Sequence, residues 1–299
     1  SGSDDHRLAN TVTGGNKHLQ SNTTAAEGTG TNIIQAFSSN TFTVGSDNSV
    51  NVSGSTYVGW VWANDGTSGS TNTQGTITST VSANTTAGFS VVTYTGTGGT
   101  GTTTVGHGLG VAPSMVIIKR RNGTTDWASY HTGLTSTSYY LVLNSTASQA
   151  NYGSTFISPS SSTLTIAADS SLLNTSTGTY VAYCFAQVAG YSAFGSYTGN
   201  GSSDGTFVFT GFRPRFLMIK ASSFAGESWY LFDTARNTYN VIGEALVGNQ
   251  SSAEFSFVML DILSNGFKAR TTNSLCNTSG ATYIYMAFAE SPFKYANAR

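Results

Sequence analysis

Three short aromatic segments read alike and indicate the fold class: Tyr57-Val-Gly-Trp-Val-Trp62, Tyr180-Val-Ala-Tyr-Cys-Phe185 and Tyr283-Ile-Tyr-Met-Ala-Phe288. Each follows a polar turn that carries one glycine, and each turn follows a short run with strand character. The three runs are Thr41–Val44, Thr163–Ile166 and Gly266–Ala269. Alternation, a glycine turn and a second strand are typical of a β-hairpin. Their recurrence predicts tandem copies of one β module.

A second block of sequence occurs in full twice. Its first part starts with a proline that precedes an apolar run and a lysine: Ala112-Pro-Ser-Met-Val-Ile-Ile-Lys119 and Arg213-Pro-Arg-Phe-Leu-Met-Ile-Lys220. Its second part starts at a tryptophan, Trp127 in one copy and Trp229 in the other. We name these the Pro-strand and the Trp-strand. Each complete module offers about seven strand candidates, which is typical of a β-sandwich or a jelly-roll-like barrel.

The N-terminal segment matches the later part of a module. Leu19–Glu27 aligns without a gap to Leu246–Glu254, and Leu141–Gln149 is the middle copy. Asp4 and Arg7 also keep the spacing of Asp233 and Arg236. Residue 1 therefore falls partway through a module that has no Pro-strand or Trp-strand. Either the sequence is a piece of a longer protein, which is the simpler explanation, or another chain completes this module.

These matches predict an all-β protein of tandem antiparallel β-sandwich (jelly-roll-like) modules, with the first module incomplete. We expect a partial module at 1–63, a linker at 64–87, complete modules at 88–190 and 191–290, and a tail at 291–299. The linker is rich in Gly, Ser, Thr and Asn, so we expect it to be flexible or to follow a sheet edge.

Composition excludes several classes of partner. The chain has 38% hydrophobic but 9% charged residues, with 13 basic and 14 acidic side chains and a net charge of −1. This charge provides no basic field for nucleic acid or anionic lipid. No apolar run approaches the roughly 18 residues that a membrane helix needs, so we expect no membrane insertion. Lys119-Arg120-Arg121 is the one cationic cluster, and we expect it at a solvated strand end.

The sequence offers no convincing catalytic, cofactor or metal site. His107 lies in a glycine turn, and His131 is expected at a surface strand end. Neither has a second histidine or carboxylate at metal-binding spacing. The densest acidic set is Glu227, Asp233, Glu244 and Glu254. Because Asp233–Arg236 recurs as Asp4–Arg7, a structural ion pair is the favoured interpretation. Cys184 and Cys276 are expected to form no disulfide.

Aromatic side chains are the better functional lead, because sugar rings stack on Tyr and Trp. The candidates for glycan contact are Tyr139, Tyr140, Trp229 and Tyr239. Most other aromatics are expected to fill the sandwich cores.

Several strings resemble a repeated module of tail-fibre and other tail-associated proteins of marine bacteriophages. They are Asn22–Glu27, Val81–Phe89, Val105–Pro113, Gly195–Gly201 and Ala287–Arg299, the last being the most specific. The resemblance covers nearly the whole chain. It implies an extracellular, structural virion protein of the tail, commonly a homotrimer, that spaces or presents a host-binding end. A host surface glycan or receptor is the implied partner.

Two other functions stay open at this point. The first is a secreted or cell-surface filament subunit whose missing first-module strands come from a neighbouring chain. The second is a glycan-cleaving enzyme that uses Glu227 and Asp233, which the structural interpretation of these carboxylates disfavours.

Overall fold

The computed structural model describes residues 4–291, so the expected tail lies outside it apart from Ser291. Within these residues the strands pair antiparallel, and helix is limited to a single turn, Asn48–Asn51. The prediction of an all-β fold is confirmed. Thr, Val and aromatic residues favour strands, while Gly and Asn supply the turns between them.

The first module consists of two small sheets. Its elements are β1 (Arg7–Leu8), β2 (Lys17–Gln20), β3 (Gly28–Thr29), β4 (Ile34–Phe37), β5 (Phe42–Val44) and α1 (Asn48–Asn51). β1, β2 and β3 form one sheet, and β4 pairs with β5. The aromatic segment 57–62 follows α1, and among the described residues it has no strand partner.

The second module is a sandwich of an eight-stranded and a three-stranded sheet. Its strands are β6 (Ser70–Asn72), β7 (Ser79–Asn84), β8 (Phe89–Thr95), β9 (Thr103–Gly106), β10 (Met115–Arg120), β11 (Ala128–His131), β12 (Tyr139–Val142), β13 (Ala150–Asn151), β14 (Ile157–Pro159), β15 (Thr163–Ile166) and β16 (Thr179–Phe185). The large sheet has the order β13-β12-β11-β10-β16-β8-β7-β6, and the small one β14-β15-β9. Apolar side chains such as Val92, Val116 and Leu164 fill the core between them.

The segment expected as a linker belongs in part to this sheet. β6 and β7 extend its edge next to β8, with Val81 opposite Val92. Ser79 and Ser82 are buried in β7, where Ser79 donates to the Gly106 carbonyl. Because alternate residues of a strand share a face, Ser79 lies on the same inward face of β7 as Val81.

The third module curls one eight-stranded sheet around its core. Its strands are β17 (Ser192–Thr198), β18 (Phe207–Phe209), β19 (Pro214–Ala221), β20 (Trp229–Asp233), β21 (Ile242–Val247), β22 (Phe255–Leu263), β23 (Gly266–Ala269) and β24 (Thr282–Ala289). The order is β17-β24-β19-β20-β21-β22-β23-β18. Phe267 of β23 lies across the core from Tyr197 and Tyr285, with ring centroids 5.7 and 5.5 Å away.

A further core joins the three modules around a pseudo-threefold axis. Trp62, Phe185 and Phe288 end the three aromatic segments and meet on this axis. Their ring centroids are 5.9 Å apart for Trp62 and Phe185, 5.6 Å for Trp62 and Phe288, and 6.1 Å for Phe185 and Phe288. Three copies of one segment therefore pack as three subunits would, within one chain.

The seam between modules, meaning the contact of each module with the one before it, repeats a lysine contact. Lys119 Nζ donates to the Thr24 carbonyl at 3.1 Å, and Lys220 Nζ donates to the Thr146 carbonyl at 3.4 Å. Thr24 and Thr146 occupy equivalent positions in their modules. Both lysines are fully buried. The expectation of a solvated strand end is therefore wrong for Lys119, whose ammonium group lies among backbone carbonyls across the seam.

A tryptophan contact repeats in the same way. Trp127 Nε1 donates to the Gln20 carbonyl at 3.0 Å, and Trp229 Nε1 donates to the equivalent Val142 carbonyl at 3.1 Å. The second module thus meets the first as the third meets the second.

Candidate functional site

The four candidate glycan residues lie in different environments. Tyr139 is half-buried and packs against the core on the pseudo-threefold axis. Trp229 is 1% exposed and holds the seam, so its ring face is not available at the surface. Tyr239 is 84% exposed in the loop before β21. Tyr140 is half-buried and follows Tyr139 on β12, where it points to the opposite face.

Tyr140 belongs to an aromatic stack on the second module. Its ring stacks on that of Phe156 at 4.1 Å between centroids, and Tyr152 packs on the same Phe156 ring at 5.1 Å. Phe156 is fully buried and anchors the two partly exposed tyrosines. The stack therefore supports the loop at 152–155, which lies at the edge of an open groove.

This groove has a volume of about 370 Å³ and lies between three loops of the second module. The buried residues 166–168, at the end of β15, line part of it. Exposed polar side chains form its walls: Thr100, Thr102, Ser154, Thr155 and Asp169. Hydroxyls both donate and accept hydrogen bonds, whereas a carboxylate accepts only. The lining can therefore bind a neutral ligand that is rich in hydroxyl groups.

Asp169 is held in place by the aromatic stack. The Tyr152 hydroxyl donates to Asp169 Oδ1 at 2.7 Å. Burial, together with this hydrogen bond, raises the pKa of Tyr152 to about 12, so the phenol stays a donor at neutral pH. One carboxylate oxygen is oriented by the tyrosine, and Oδ2 remains available to a ligand in the groove. Sequence reasoning did not find these residues, because single Thr, Ser and Asp residues in loops are too common here to stand out.

The two histidines considered as site residues are both buried, and each contacts a backbone carbonyl. His131 Nε2 donates to the Tyr285 carbonyl at 3.0 Å and Nδ1 accepts from the Gly133 amide, so His131 lies in the contact between modules. The expectation of a surface strand end is wrong for His131, because the axis core covers the end of β11. Burial lowers its pKa to about 4. His107 is also buried, with Nε2 3.1 Å from the Ser160 carbonyl.

Asp233 forms the ion pair that its spacing predicted. Arg236 Nε donates to Asp233 Oδ2 at 2.7 Å, and the same guanidinium contacts Glu254. Trp60 Nε1 also donates to Asp233 Oδ2, at 3.3 Å, which links the third module to the first. Burial alone would raise the pKa of Asp233, but the hydrogen bonds and charge of Arg236, together with the Ala235 amide, outweigh it and hold the pKa below its usual range. The predicted ion pair of Asp233 and Arg236 is thus present, whereas the matching Arg7 donates to the Ser49 hydroxyl instead.

Three further observations concern metal, redox and membrane chemistry. Among residues 4–291, no three His, Cys, Asp or Glu side chains are grouped so that they could hold a metal ion. Cys184 and Cys276 are buried free thiols in different module cores. None of the described helical structure is long and apolar enough to cross a membrane.

The third module exposes aromatic side chains that sequence reasoning also missed. Phe207 and Phe209 lie on the outer face of β18, and Phe209 is 66% exposed. The equivalent positions on β9 are Thr104 and Gly106, which the strand register aligns through Val105 and Val208. The two outer faces therefore differ in chemistry although their backbones pair alike.

Comparison with known proteins gave one result. Residues 1–292 match the family described as a domain of unknown function, DUF7483. Neither the curated proteins nor the solved structures contain a match. Because the match spans nearly the whole sequence, the chain belongs to the DUF7483 family.

Proposed function

We propose that this chain is a structural module of a bacteriophage tail fibre, located on the virion tail, and that the groove of its second module contacts host surface glycans. The sequence strings that resemble tail-fibre modules support the first part. The groove carries the second part, because it combines hydroxyl-lined walls, an oriented carboxylate and an adjacent aromatic stack.

The groove has the size and chemistry of a site for one or two sugar units. Small-molecule sites commonly measure about 300 to 1,000 Å³, and the groove falls at the lower end. The Asp169 carboxylate can accept from two vicinal sugar hydroxyls, and Thr102 and Thr155 can bond others. An open groove suits the side or end of a long polysaccharide, which a closed pocket would exclude.

The rest of the molecule suits a structural role. Its modules are joined by an apolar core, by buried hydrogen bonds and by the partly buried ion pair of Arg121 and Glu27. Salt screens such partly buried contacts less than it screens exposed ion pairs. The carboxylates of Glu227 and Asp233 bond neighbouring side chains. Glu227 Oε2 accepts from the Tyr230 hydroxyl, and Asp233 pairs with Arg236.

The test is glycan binding by the purified chain. An array of bacterial surface polysaccharides identifies a ligand, and calorimetry then measures its affinity. Asp169→Asn is expected to weaken binding at least about tenfold, the equivalent of 1.4 kcal/mol. Asp204→Asn is the matched control, because Asp204 is an exposed carboxylate on the third module that pairs with Lys268. Equal affinities of both variants, or no glycan bound by the wild-type chain, would contradict the groove assignment.

The mass and shape of the purified chain test the fibre assignment. Light scattering with small-angle X-ray scattering distinguishes a rod-like homotrimer, which we expect, from a compact particle of one chain. A compact monomer that proteases digest rapidly would count against the fibre proposal.

A further inference from the structure

The first module leaves open a core that is closed in the other two. Phe42, Val44, Tyr57 and Val61 are 42, 38, 49 and 72% exposed. The residues at equivalent positions are at most 3% exposed: Leu164, Ile166, Tyr180 and Cys184 in the second module, and Phe267, Ala269, Tyr283 and Ala287 in the third. We name the four exposed residues the open half-core. Position in the repeat does not explain their exposure, because the same positions are buried twice.

The aromatic segment 57–62 packs against other residues on one face only. Trp60 and Trp62 point to the axis, where the Trp62 ring packs between Phe185 and Phe288. Tyr57 and Val61 point to the opposite face, as alternation along an extended segment requires. The equivalent strands β16 and β24 are each flanked on both sides, β16 by β8 and β10, and β24 by β17 and β19. Within residues 4–291 the segment has neither flanking strand.

The segment is nevertheless held in the geometry of the complete modules. The Tyr57 hydroxyl accepts from the Val52 amide at 2.8 Å and donates to the Asn48 carbonyl at 3.0 Å. Tyr180 and Tyr283 make the same two bonds, to the amide five residues earlier and to the carbonyl nine residues earlier. The backbone edges of 57–62 are therefore positioned to pair with added strands at little ordering cost.

The second and third modules show which residue types cover the equivalent of the open half-core. In the third module the cover is residues 191–221, which contain β17, the Pro-strand β19 and, between them, β18, which pairs with β23. Leu217 and Ile219 point into the core, and the Tyr197 ring stacks on Tyr283 with centroids 5.2 Å apart at 15°. In the second module Tyr94 stacks on Tyr180 in the same way, at 5.0 Å and 11°. A covering segment would therefore place a tyrosine on Tyr57.

The contact between the third module and the first is the counterpart of the two seams, and it shows which strands of a complete module are not required there. Trp127 and Trp229 bond the carbonyls of Gln20 and Val142, and the equivalent carbonyl in the third module is that of Val247. His6 Nε2 lies 2.9 Å from this carbonyl and takes the place of a tryptophan indole. A Trp-strand is therefore not required there. The two strands that flank 57–62 remain to be supplied.

We propose that the open half-core is an acceptor site for two β-strands that flank 57–62, come from outside residues 4–291 and have the sequence chemistry of residues 191–221. One strand carries the tyrosine that stacks on Tyr57. The other is a Pro-strand that pairs antiparallel with 57–62 and places its lysine near the Ser251 carbonyl, the equivalent of Thr24 and Thr146. A second copy of this chain is not the donor, because its own Pro-strands are built into its sheets.

The experiment adds a synthetic peptide of residues 191–221 to the purified chain and follows amide hydrogen exchange at 57–62 by mass spectrometry. We expect exchange there to slow at least about tenfold, since each flanking strand provides backbone hydrogen bonds. The peptide contains no tryptophan, so any change in tryptophan emission comes from the protein. The same segment fused ahead of Ser1 through a flexible linker raises its local concentration and gives the same protection.

Two controls show whether protection comes from this site. A peptide with Leu217→Asp and Ile219→Asp has the same length but cannot enter an apolar core. Val61→Asp changes a residue that is already exposed in the protein, so we expect the chain to fold. The new carboxylate makes the acceptor surface polar, which disfavours packing of an added strand. Unchanged exchange at 57–62 in both the mixture and the fused chain would overturn the proposal, as would equal protection by the control peptide. Concentration-dependent growth of the protein alone would also overturn it, because a second copy would then be the donor.

Discussion

Lys119 and Lys220 hold equivalent positions at two successive seams, and each donates its buried ammonium protons to backbone carbonyls of its own and the preceding module. Each group has three carbonyls as acceptors. Burial lowers the pKa of both ammonium groups to about 8, so they are mostly charged at neutral pH. An ammonium group that bonds carbonyls on both sides of a seam restrains the orientation of one module relative to the next.

The first prediction concerns Lys220. Lys220→Met keeps most of the side-chain volume but leaves its carbonyl partners unsatisfied, and we expect a loss of about 1 to 3 kcal/mol in the free energy of unfolding. Urea denaturation followed by circular dichroism measures it. Lys17→Met is the control, because Lys17 bonds only the exposed Thr29 hydroxyl. Equal losses for both variants would show that the seam contact contributes nothing specific.

The second prediction concerns acid stability and His131. The folded pKa is about 4 against 6.5 for the unfolded group, so the unfolded chain binds more protons between these values. Stability is therefore expected to fall as the pH drops from 6.5 to 4, by at most about 3 kcal/mol from this residue. Protonation would also remove Nδ1 as the acceptor for the Gly133 amide.

The matched variant for this prediction is His131→Gln, whose amide can still donate to the Tyr285 carbonyl but does not titrate. Urea midpoints at pH 4, 5, 6 and 7 should show a shallower acid loss in the variant than in the wild-type chain. His107, whose pKa burial also lowers, accounts for part of the slope that remains. The same slope in both proteins would contradict the assignment to His131.

The third prediction contrasts two phenylalanines. Phe185→Ala removes a ring from the axis and is expected to cost about 3 to 5 kcal/mol, since Trp62 and Phe288 cannot close the space. Phe209→Ala changes an exposed ring on β18 and is expected to stay within about 0.5 kcal/mol. Thermal and urea unfolding compare the two. A small cost for Phe185→Ala would mean that the three modules do not depend on the axis core.

The fourth prediction concerns thiol reactivity. Burial raises the pKa of both Cys184 and Cys276 to about 12, and the thiolate is the reactive form. We expect no thiol to react with Ellman's reagent in the native protein and both to react in urea. A thiol that reacts at a native rate near that of free cysteine would show that its module opens readily.

Much of the fold could be predicted from local pattern. The glycine turn between two short strands and the repeated Pro-strand and Trp-strand indicate antiparallel hairpins, because strand period and turn chemistry are properties of neighbouring residues. The ion pair of Asp233 and Arg236 was predictable for the same reason. For the stretch expected as a linker, composition predicted a path along a sheet edge, but it did not show that the buried Ser79 hydroxyl bonds the Gly106 carbonyl.

The site depended on contacts between distant parts of the chain. Tyr140 was identified from its residue type, but its stack with Phe156 and Tyr152, and the position of Asp169, come from loops that meet only in the folded module. Trp229 was identified for the same reason as Tyr140, yet it is buried, because the surface it would occupy faces the preceding module.

The linear order of residues thus specified that this chain is all-β, that its module recurs, and that the first copy lacks two kinds of strand. Internal repeats and the two-residue period of strands can be recognised in the linear sequence. Folding in three dimensions placed Trp62, Phe185 and Phe288 on one axis, buried Lys119 and His131 between modules, and left Tyr57 and Val61 uncovered. Burial depends on what packs against a residue from elsewhere in the chain, and that information appears only when the modules are assembled.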